Sequence, residues 1–139
     1  MRVLIYGGRD FGIKKEQRLG AWAFLNELAI TTFPRTPEDD YGNYLPDITV
    51  ISGEARGADM IGTDFAVVNW TGYEGYPADW DTHGKAAGAI RNQQMLDSGI
   101  DLAIEFPGGR GTADMRRRLD KAGVRVIEYK ERNEETNRG

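Results

Sequence analysis

The sequence contains no cysteine and a single histidine, His83. Without cysteine, the protein has no disulfide bonds, no thiol nucleophile and no thiolate zinc site. One histidine leaves few ligands for a transition metal, and no spacing of carboxylates is typical of a dedicated metal site. The sequence therefore identifies no cofactor and no metal-binding residue. Mg²⁺ held through the phosphate oxygens of a ligand stays an open alternative.

Long hydrophobic runs and an excess of positive charge are also lacking. No segment approaches the roughly 20 apolar residues of a membrane-spanning helix, and the strand-like run that begins at Arg2 leaves no room for a signal peptide. We therefore expect a cytoplasmic protein without a membrane partner. Lys and Arg number 18 against 22 Asp and Glu, a net charge of −4, and this balance disfavours nucleic acid as a partner.

The residues that are present indicate one globular domain. The chain has 139 residues, of which 40% are hydrophobic and 29% charged, the proportions of a protein with a buried core. Strand-like runs alternate with helical patterns along the chain. Strands are predicted at 2–6, 48–51, 73–76, 101–106 and 124–129, helices at 14–30, 58–68, 85–96 and 113–122, and an exposed loop at 33–47.

This alternation predicts the α/β class, with a doubly wound, mostly parallel five-stranded sheet flanked by helices, a Rossmann-like fold. We expect it to occupy residues 1–129, followed by a charged, flexible tail over 130–139. The helical pattern at 14–30 places Leu19, Trp22, Leu25 and Leu28 at three-residue steps, which predicts that this face packs against the sheet.

Three glycine-rich segments, at 7–12, 52–57 and 107–112, each follow a predicted strand. Parallel strands end at the same edge of a sheet, so these segments should cluster there. In Pro107-Gly-Gly-Arg-Gly-Thr112, small residues let backbone N–H groups approach an anion at a helix N-terminus. The alternative is a tight turn in which the glycines only solve backbone geometry and Thr112 is the helix N-cap.

Charged residues beside these segments are further candidates, each with a structural alternative. Arg9 could contact a phosphate and Asp10 a ribose hydroxyl or metal-bound water, or the two could pair with each other. Arg56 and Asp59 could likewise contact a ligand or each other. His83, whose type titrates near neutrality, is an acid–base candidate or a surface residue at a helix start.

Four segments in order resemble a known family. They are Gly7–Phe11, Ser52–Asp59, His83–Gly88 with Arg91-Asn92, and Phe106–Met115. Together they resemble the SLOG superfamily of Rossmann-like domains and, within it, the YspA/cpYpsA-related group. The resemblance implies a nucleotide or nucleotide-derived ligand at the carboxyl edge of the sheet, with its phosphate on segment 107–112, bound for sensing or sequestration. The candidate ligand-binding residues are Gly8, Arg9, Asp10, Ser52, Gly53, Arg56, Gly57, Asp59, Lys85, Gly108, Gly109, Arg110, Gly111 and Thr112.

The lysine-decarboxylase-like Lonely Guy enzymes are related to this superfamily, and they imply an alternative function. They cleave the N-glycosidic bond of nucleoside monophosphates with an arginine and a glutamate. Arg91 stands for the arginine here, whereas Met115 occupies the glutamate position, and a thioether cannot take up or stabilise charge as a carboxylate does. An N-glycosidase of this type would therefore need another group, and its candidate catalytic residues are Arg91, Asp114 and His83, with Asp10 as a further carboxylate.

Two partner questions stay open at this point. A relative in the superfamily handles single-stranded DNA, an alternative against which the net charge of −4 counts. Relatives also often dimerise, so a homodimer remains an alternative to a monomer.

Overall fold

A computed structural model describes residues 1–131, and residues 132–139 of the expected flexible tail lie outside the described residues. The chain alternates strands and helices from its first residues. In chain order they are β1 (Arg2–Tyr6), α1 (Lys15–Thr31), β2 (Thr49–Ser52), α2 (Ala58–Asn69), β3 (Gly72–Gly75), α3 (Trp80–His83), a 3₁₀ turn (Gly84–Ala86), α4 (Ala87–Asp97), β4 (Leu102–Glu105), α5 (Arg110–Lys121) and β5 (Arg125–Glu128).

The five strands form one parallel sheet in the order β3-β2-β1-β4-β5. The prediction of a doubly wound, Rossmann-like α/β fold is therefore confirmed. The strand order reverses direction between β1 and β4, so the chain leaves these two neighbours toward opposite sides of the sheet. Such a switch point opens a crevice beyond the carboxyl ends of the strands, where open α/β sheets bind ligands.

Strand β1 contains a continuous apolar run because both of its faces are buried. Its side chains alternate between two cores: Val3 and Ile5 pack on the side of α1 and α2, whereas Leu4 and Tyr6 pack on the side of α4 and α5. All four are buried. A central parallel strand covered on both faces has no solvent-facing position, which explains the absence of polar alternation.

Several element boundaries differ from those predicted. The last helix begins at Arg110 rather than at 113, with Gly109 as its N-cap and no side-chain cap, so the alternative in which Thr112 caps this helix is wrong. Helix α4 begins at Ala87, after the short helix α3 and the 3₁₀ turn, rather than at 85. The helical pattern alone could not distinguish these short turns from one continuous helix.

Helix α1 lies within one residue of its predicted bounds, but its buried face was predicted in part. Leu25 and Leu28 are buried as expected, whereas Leu19 is 61% exposed and Ala21 is buried instead. The segment 33–47 is irregular and mostly exposed, as predicted. The buried side chains of Phe33 and Pro46 anchor it.

None of the helices that the structure describes between residues 1 and 131 is long and apolar enough to cross a membrane.

Candidate functional site

The three glycine-rich segments meet at the carboxyl edge of the sheet, as predicted, and Gly8 joins them. Its N–H donates to the carbonyl oxygen of Pro107 at 2.9 Å, and its own carbonyl accepts from the N–H of Ala58 at 3.1 Å. A Cβ at Gly8 would lie 2.8 Å from the Cα of Gly108. The loops after β1 and β4 can approach this closely only because both positions are glycine.

A cavity of about 480 Å³ lies at this switch point between the loops after β1 and β4 and helix α4. Its volume falls within the range of small-molecule sites. The predicted site residues that line it are Gly8, Arg9, Asp59, Lys85, Arg91, Gly109, Arg110, Gly111, Thr112 and Asp114. The fold therefore brings together ten of the seventeen candidates that the sequence supplied.

The first turn of α5 presents unused hydrogen-bond donors to this cavity. Ala113 donates its N–H to the carbonyl oxygen of Gly109 at 3.0 Å. The N–H groups of the three preceding residues, 110–112, have no partner among the described residues, and neither has the hydroxyl of Thr112. Unsatisfied N–H groups at the positive end of a helix dipole favour a negatively charged group.

The charge of the cavity contrasts with that of the whole chain. Four cationic side chains line it, Arg9, Lys85, Arg91 and Arg110, against two carboxylates. The guanidinium of Arg9 lies over the ring of Trp80, 5.1 Å from its centroid, which holds this cation at the rim. A chain of net charge −4 therefore concentrates positive charge at one concave place, as an anion-binding site requires.

Arg91 projects from α4 into the cavity and is held there by two hydrogen bonds. Its Nη1 donates to the carbonyl oxygen of Gly53 at 2.7 Å, and its Nε donates to Oδ1 of Asn92 at 3.1 Å. A Cβ at position 53 would lie 2.5 Å from Nη1 of Arg91, so this glycine makes room for the guanidinium. Burial lowers the pKa of Arg91, and a guanidinium still keeps its charge at neutral pH.

Asp114 also lines the cavity, but its carboxylate is fully engaged. Oδ2 accepts from Nε of Arg118 at 2.8 Å and from Nδ2 of Asn92 at 3.0 Å. Oδ1 accepts from Arg117 and from a second nitrogen of Arg118. The hydrogen bond to Arg118 is the main cause of the lowered pKa of Asp114. This carboxylate therefore helps to fix α4 against α5.

Asp59 is the second carboxylate of the cavity, and its surroundings differ. Its side chain is buried at the first turn of α2, where the residue is 5% exposed. Burial raises its pKa to about 6, although the N–H groups of Ala55 and Gly7 favour the anion. The positive charges of Arg91 and Arg9 act in the same direction as those N–H groups. Perturbed carboxyl groups in clefts are frequent at functional sites.

The raised pKa of Asp59 predicts a pH-dependent stability. The folded state holds this proton more tightly than the unfolded chain, so the free energy of unfolding should fall as pH rises from about 4 to about 6. For Asp59 alone the fall is about 3 kcal/mol. Asp59→Asn should lack this slope, and urea denaturation of both proteins between pH 4 and 7.5 measures the difference. Parallel pH curves would show that Asp59 has an ordinary pKa.

Some predicted residues lie outside this cavity. Asp10 and Arg56 pair with each other at 3.1 Å on the exposed surface, so the alternatives of an Arg9–Asp10 pair and an Arg56–Asp59 pair are wrong. His83 is exposed at the end of α3 and does not line the cavity.

The remaining glycine and serine candidates lie next to the main cavity but do not line it. Ser52 is the buried last residue of β2, and its Oγ accepts from the N–H of Glu54 at 3.1 Å. Gly57 has a φ of +79° and passes close to the carbonyl oxygens of Gly8 and Arg9, so it shapes the loop. Gly53 and Arg56 line an adjoining cavity of about 390 Å³, which shares Arg9, Trp80 and Arg91 with the first.

The candidate residues from the sequence did not include those that form the floor of the main cavity. Tyr6, Met95 and Met115 form it, and all three belong to the core on the side of α4 and α5. The hydroxyl of Tyr6 donates to Oε1 of Glu105 at 2.7 Å. Tyr6 could have been identified from the sequence as the last residue of a buried strand, because the cavity opens at the carboxyl ends of the strands.

No group of three or more His, Cys, Asp or Glu side chains suitable for a metal ion occurs within residues 1–131.

Comparisons with known proteins show a family relation. No family model matches the chain, and no solved structure does. The chain is 38% identical over 136 residues to the "Gene 61 protein" of Mycobacterium phage D29, an alignment that covers 92% of this chain and 95% of the relative. The name of that relative states neither an activity nor a ligand.

Proposed function

The chain belongs to the same family as the Gene 61 protein of Mycobacterium phage D29, and from the geometry of its own site we propose that it binds a nucleotide or nucleotide-derived molecule at the switch point of the sheet. The phosphate lies on the first turn of α5, against residues 108–112. The observation that carries this proposal is the set of unpartnered N–H groups at 110–112, which open into a cavity with four cationic side chains.

The size and the walls of the cavity support a nucleotide over a simple anion. A phosphate ion needs only the helix terminus and one or two cations, whereas this cavity extends over about 480 Å³. Trp80 is 46% exposed at its rim, where an aromatic face can stack on a planar base. Membership of the SLOG superfamily, and a role in sensing or sequestration, are parts of this proposal.

A thermal-shift panel tests the proposal. The purified protein is incubated with nucleoside monophosphates, cyclic nucleotides, NAD and ADP-ribose, and each mixture is then separated by chromatography. A ligand that binds only the folded state raises stability by about 2.7 kcal/mol at 100 times its Kd, which a domain of this size reports as a shift of several degrees. A shift with intact ligand is the expected result. No shift with any member of the panel would contradict the proposal.

Hydrolysis of a nucleoside 5′-monophosphate at its N-glycosidic bond is a second candidate function, because Arg91 lines the cavity as the Lonely Guy resemblance implies. Its carboxylate partner there is Asp59, since Asp114 is fully engaged and Asp10 lies outside. The same chromatograms then contain free base and ribose 5-phosphate. Arg91→Ala should abolish any such release, and an unchanged rate in that variant would overturn the role of Arg91.

A further inference from the structure

The two carboxylates of the cavity differ in their capacity to bind a ligand. A carboxylate offers about four acceptor positions, and those of Asp114 are filled by four donor atoms of Asn92, Arg117 and Arg118. Asp59 accepts from the N–H of Ala55 at 3.2 Å, with the N–H of Gly7 also favouring its anion. Within residues 1–131, Asp59 is thus the cavity carboxylate that keeps two acceptor positions unfilled.

The positions of Asp59 and of the anion-binding turn at 110–112 limit which ligands can contact both groups. Asp59 follows β2, and the turn at 110–112 follows β4, with β1 between them. Strands β2 and β4 are two strand spacings apart, about 10 Å, and Asp59 lines the same cavity as the turn at 110–112. One ligand in this cavity can therefore place its phosphate on α5 and its hydroxyl groups toward Asp59.

We propose that Asp59 accepts hydrogen bonds from the 2′- and 3′-hydroxyls of the ligand, so that the site selects ribonucleotides over deoxyribonucleotides. This inference rests on the proposed function. Two neighbouring hydroxyls present two O–H donors side by side, which matches the two unfilled positions of Asp59. The sequence offered Asp10 as a candidate for a ribose hydroxyl or a metal-bound water, but that carboxylate is paired with Arg56 outside the cavity.

The charged groups that face Asp59 are consistent with this role. Arg91 on α4 and Arg9 on the loop after β1 favour its anionic form, and a carboxylate accepts stronger hydrogen bonds than its protonated form. Arg91 is already held by Gly53 and Asn92. Among the described residues it forms no ion pair with Asp59 that would fill the remaining acceptor positions.

Isothermal titration of matched nucleotides tests the inference. Adenosine, guanosine, cytidine and uridine 5′-monophosphates are each compared with their 2′-deoxy and 3′-deoxy counterparts at pH 7.5. Loss of one hydrogen bond to a charged group weakens binding about 10- to 150-fold, which is the expected preference of the wild type for the ribose form. Asp59→Asn should reduce this ratio to about threefold or less. Asp10→Asn removes the same charge outside the cavity and should keep the wild-type ratio.

A second arm uses the wild-type protein alone and does not depend on the folding of a variant. At pH 5, where Asp59 with a pKa of about 6 is largely protonated, the ratio of ribose to deoxyribose affinity should fall. Titration of the ligand phosphate affects both ligands equally and cancels in this ratio.

The outcomes separate the inference from the function on which it rests. Binding with no ribose preference, or a preference that Asp59→Asn retains or that Asp10→Asn removes, would overturn the role of Asp59 and leave nucleotide binding in place. Absence of binding by every nucleotide would overturn the proposed function itself.

Discussion

Replacing Gly108 by alanine is expected to weaken nucleotide binding about 10- to 100-fold. A Cβ at this position would overlap the side chain of Thr112 and lie 2.6 Å from the backbone nitrogen of Gly8. The backbone nitrogen cannot move without shifting the loop after β1. Relief of such a collision costs typically about 1–3 kcal/mol, and the N–H groups at 110–112 would no longer converge on one anion. Isothermal titration with the tightest nucleotide of the panel measures the loss.

Gly111→Ala is the matched control for this variant. It adds the same methyl group to the same segment, but a Cβ at Gly111 meets no atom within 4 Å. Its free energy of unfolding should stay within about 1 kcal/mol of the wild type, because alanine favours a helix over glycine. Urea denaturation of both variants gives the comparison. Equal stability and equal affinity of Gly108→Ala and the wild type would show that close approach of the two loops is not required.

Replacing Met115 by glutamate, which restores the residue of the Lonely Guy motif, should destabilise the fold rather than create an enzyme. Met115 is 1% exposed and packs with Leu4, Met95 and Leu119. A carboxylate among these apolar side chains would be a buried charge, which costs about 3 kcal/mol or more. Burial would raise the pKa of this carboxyl group, so the loss relative to the wild type should be smaller at pH 5 than at pH 8.

Met115→Leu is the control, since it conserves volume and apolar character and should cost less than about 1.5 kcal/mol. Chemical denaturation of the three proteins at both pH values gives the free energies of unfolding. If Met115→Glu is as stable as Met115→Leu and releases free base from a nucleoside monophosphate, the cavity was already arranged for a glutamate at this position. The second candidate function would then replace nucleotide binding as the leading one.

The fold class could be predicted because its signals are local. Each strand is a short apolar run, each helix a three- and four-residue pattern, and their strict alternation leaves few topologies other than a parallel sheet covered on both faces. Boundaries were less predictable. The start of α5 at Arg110 and the separation of α3 from α4 depend on backbone hydrogen bonds between turns, which no periodicity of side chains records.

The sequence predicted where the glycine-rich segments meet, but not the partners that the charged side chains take. A glycine after a strand has a local meaning, and all three glycine-rich segments meet at one edge as expected. The partners of the charged residues come from distant parts of the chain. Asp10 pairs with Arg56, and Asp114 accepts hydrogen bonds from arginines of its own helix and from Asn92 of α4. Asp59 is buried in the lining of the cavity. The order of residues such as Arg9 and Asp10 in the sequence gave no indication of these partners.

The sequence by itself therefore determined the layers of the fold, the edge at which its loops gather and the helix terminus that suits an anion, because backbone geometry and apolar burial depend on residues close together in the chain. Only the tertiary structure decided which ionisable groups face the cavity. Coulomb interactions and desolvation depend on distances in space, and residues 59, 91 and 114 acquire their different environments only when β1, β2 and β4 lie side by side.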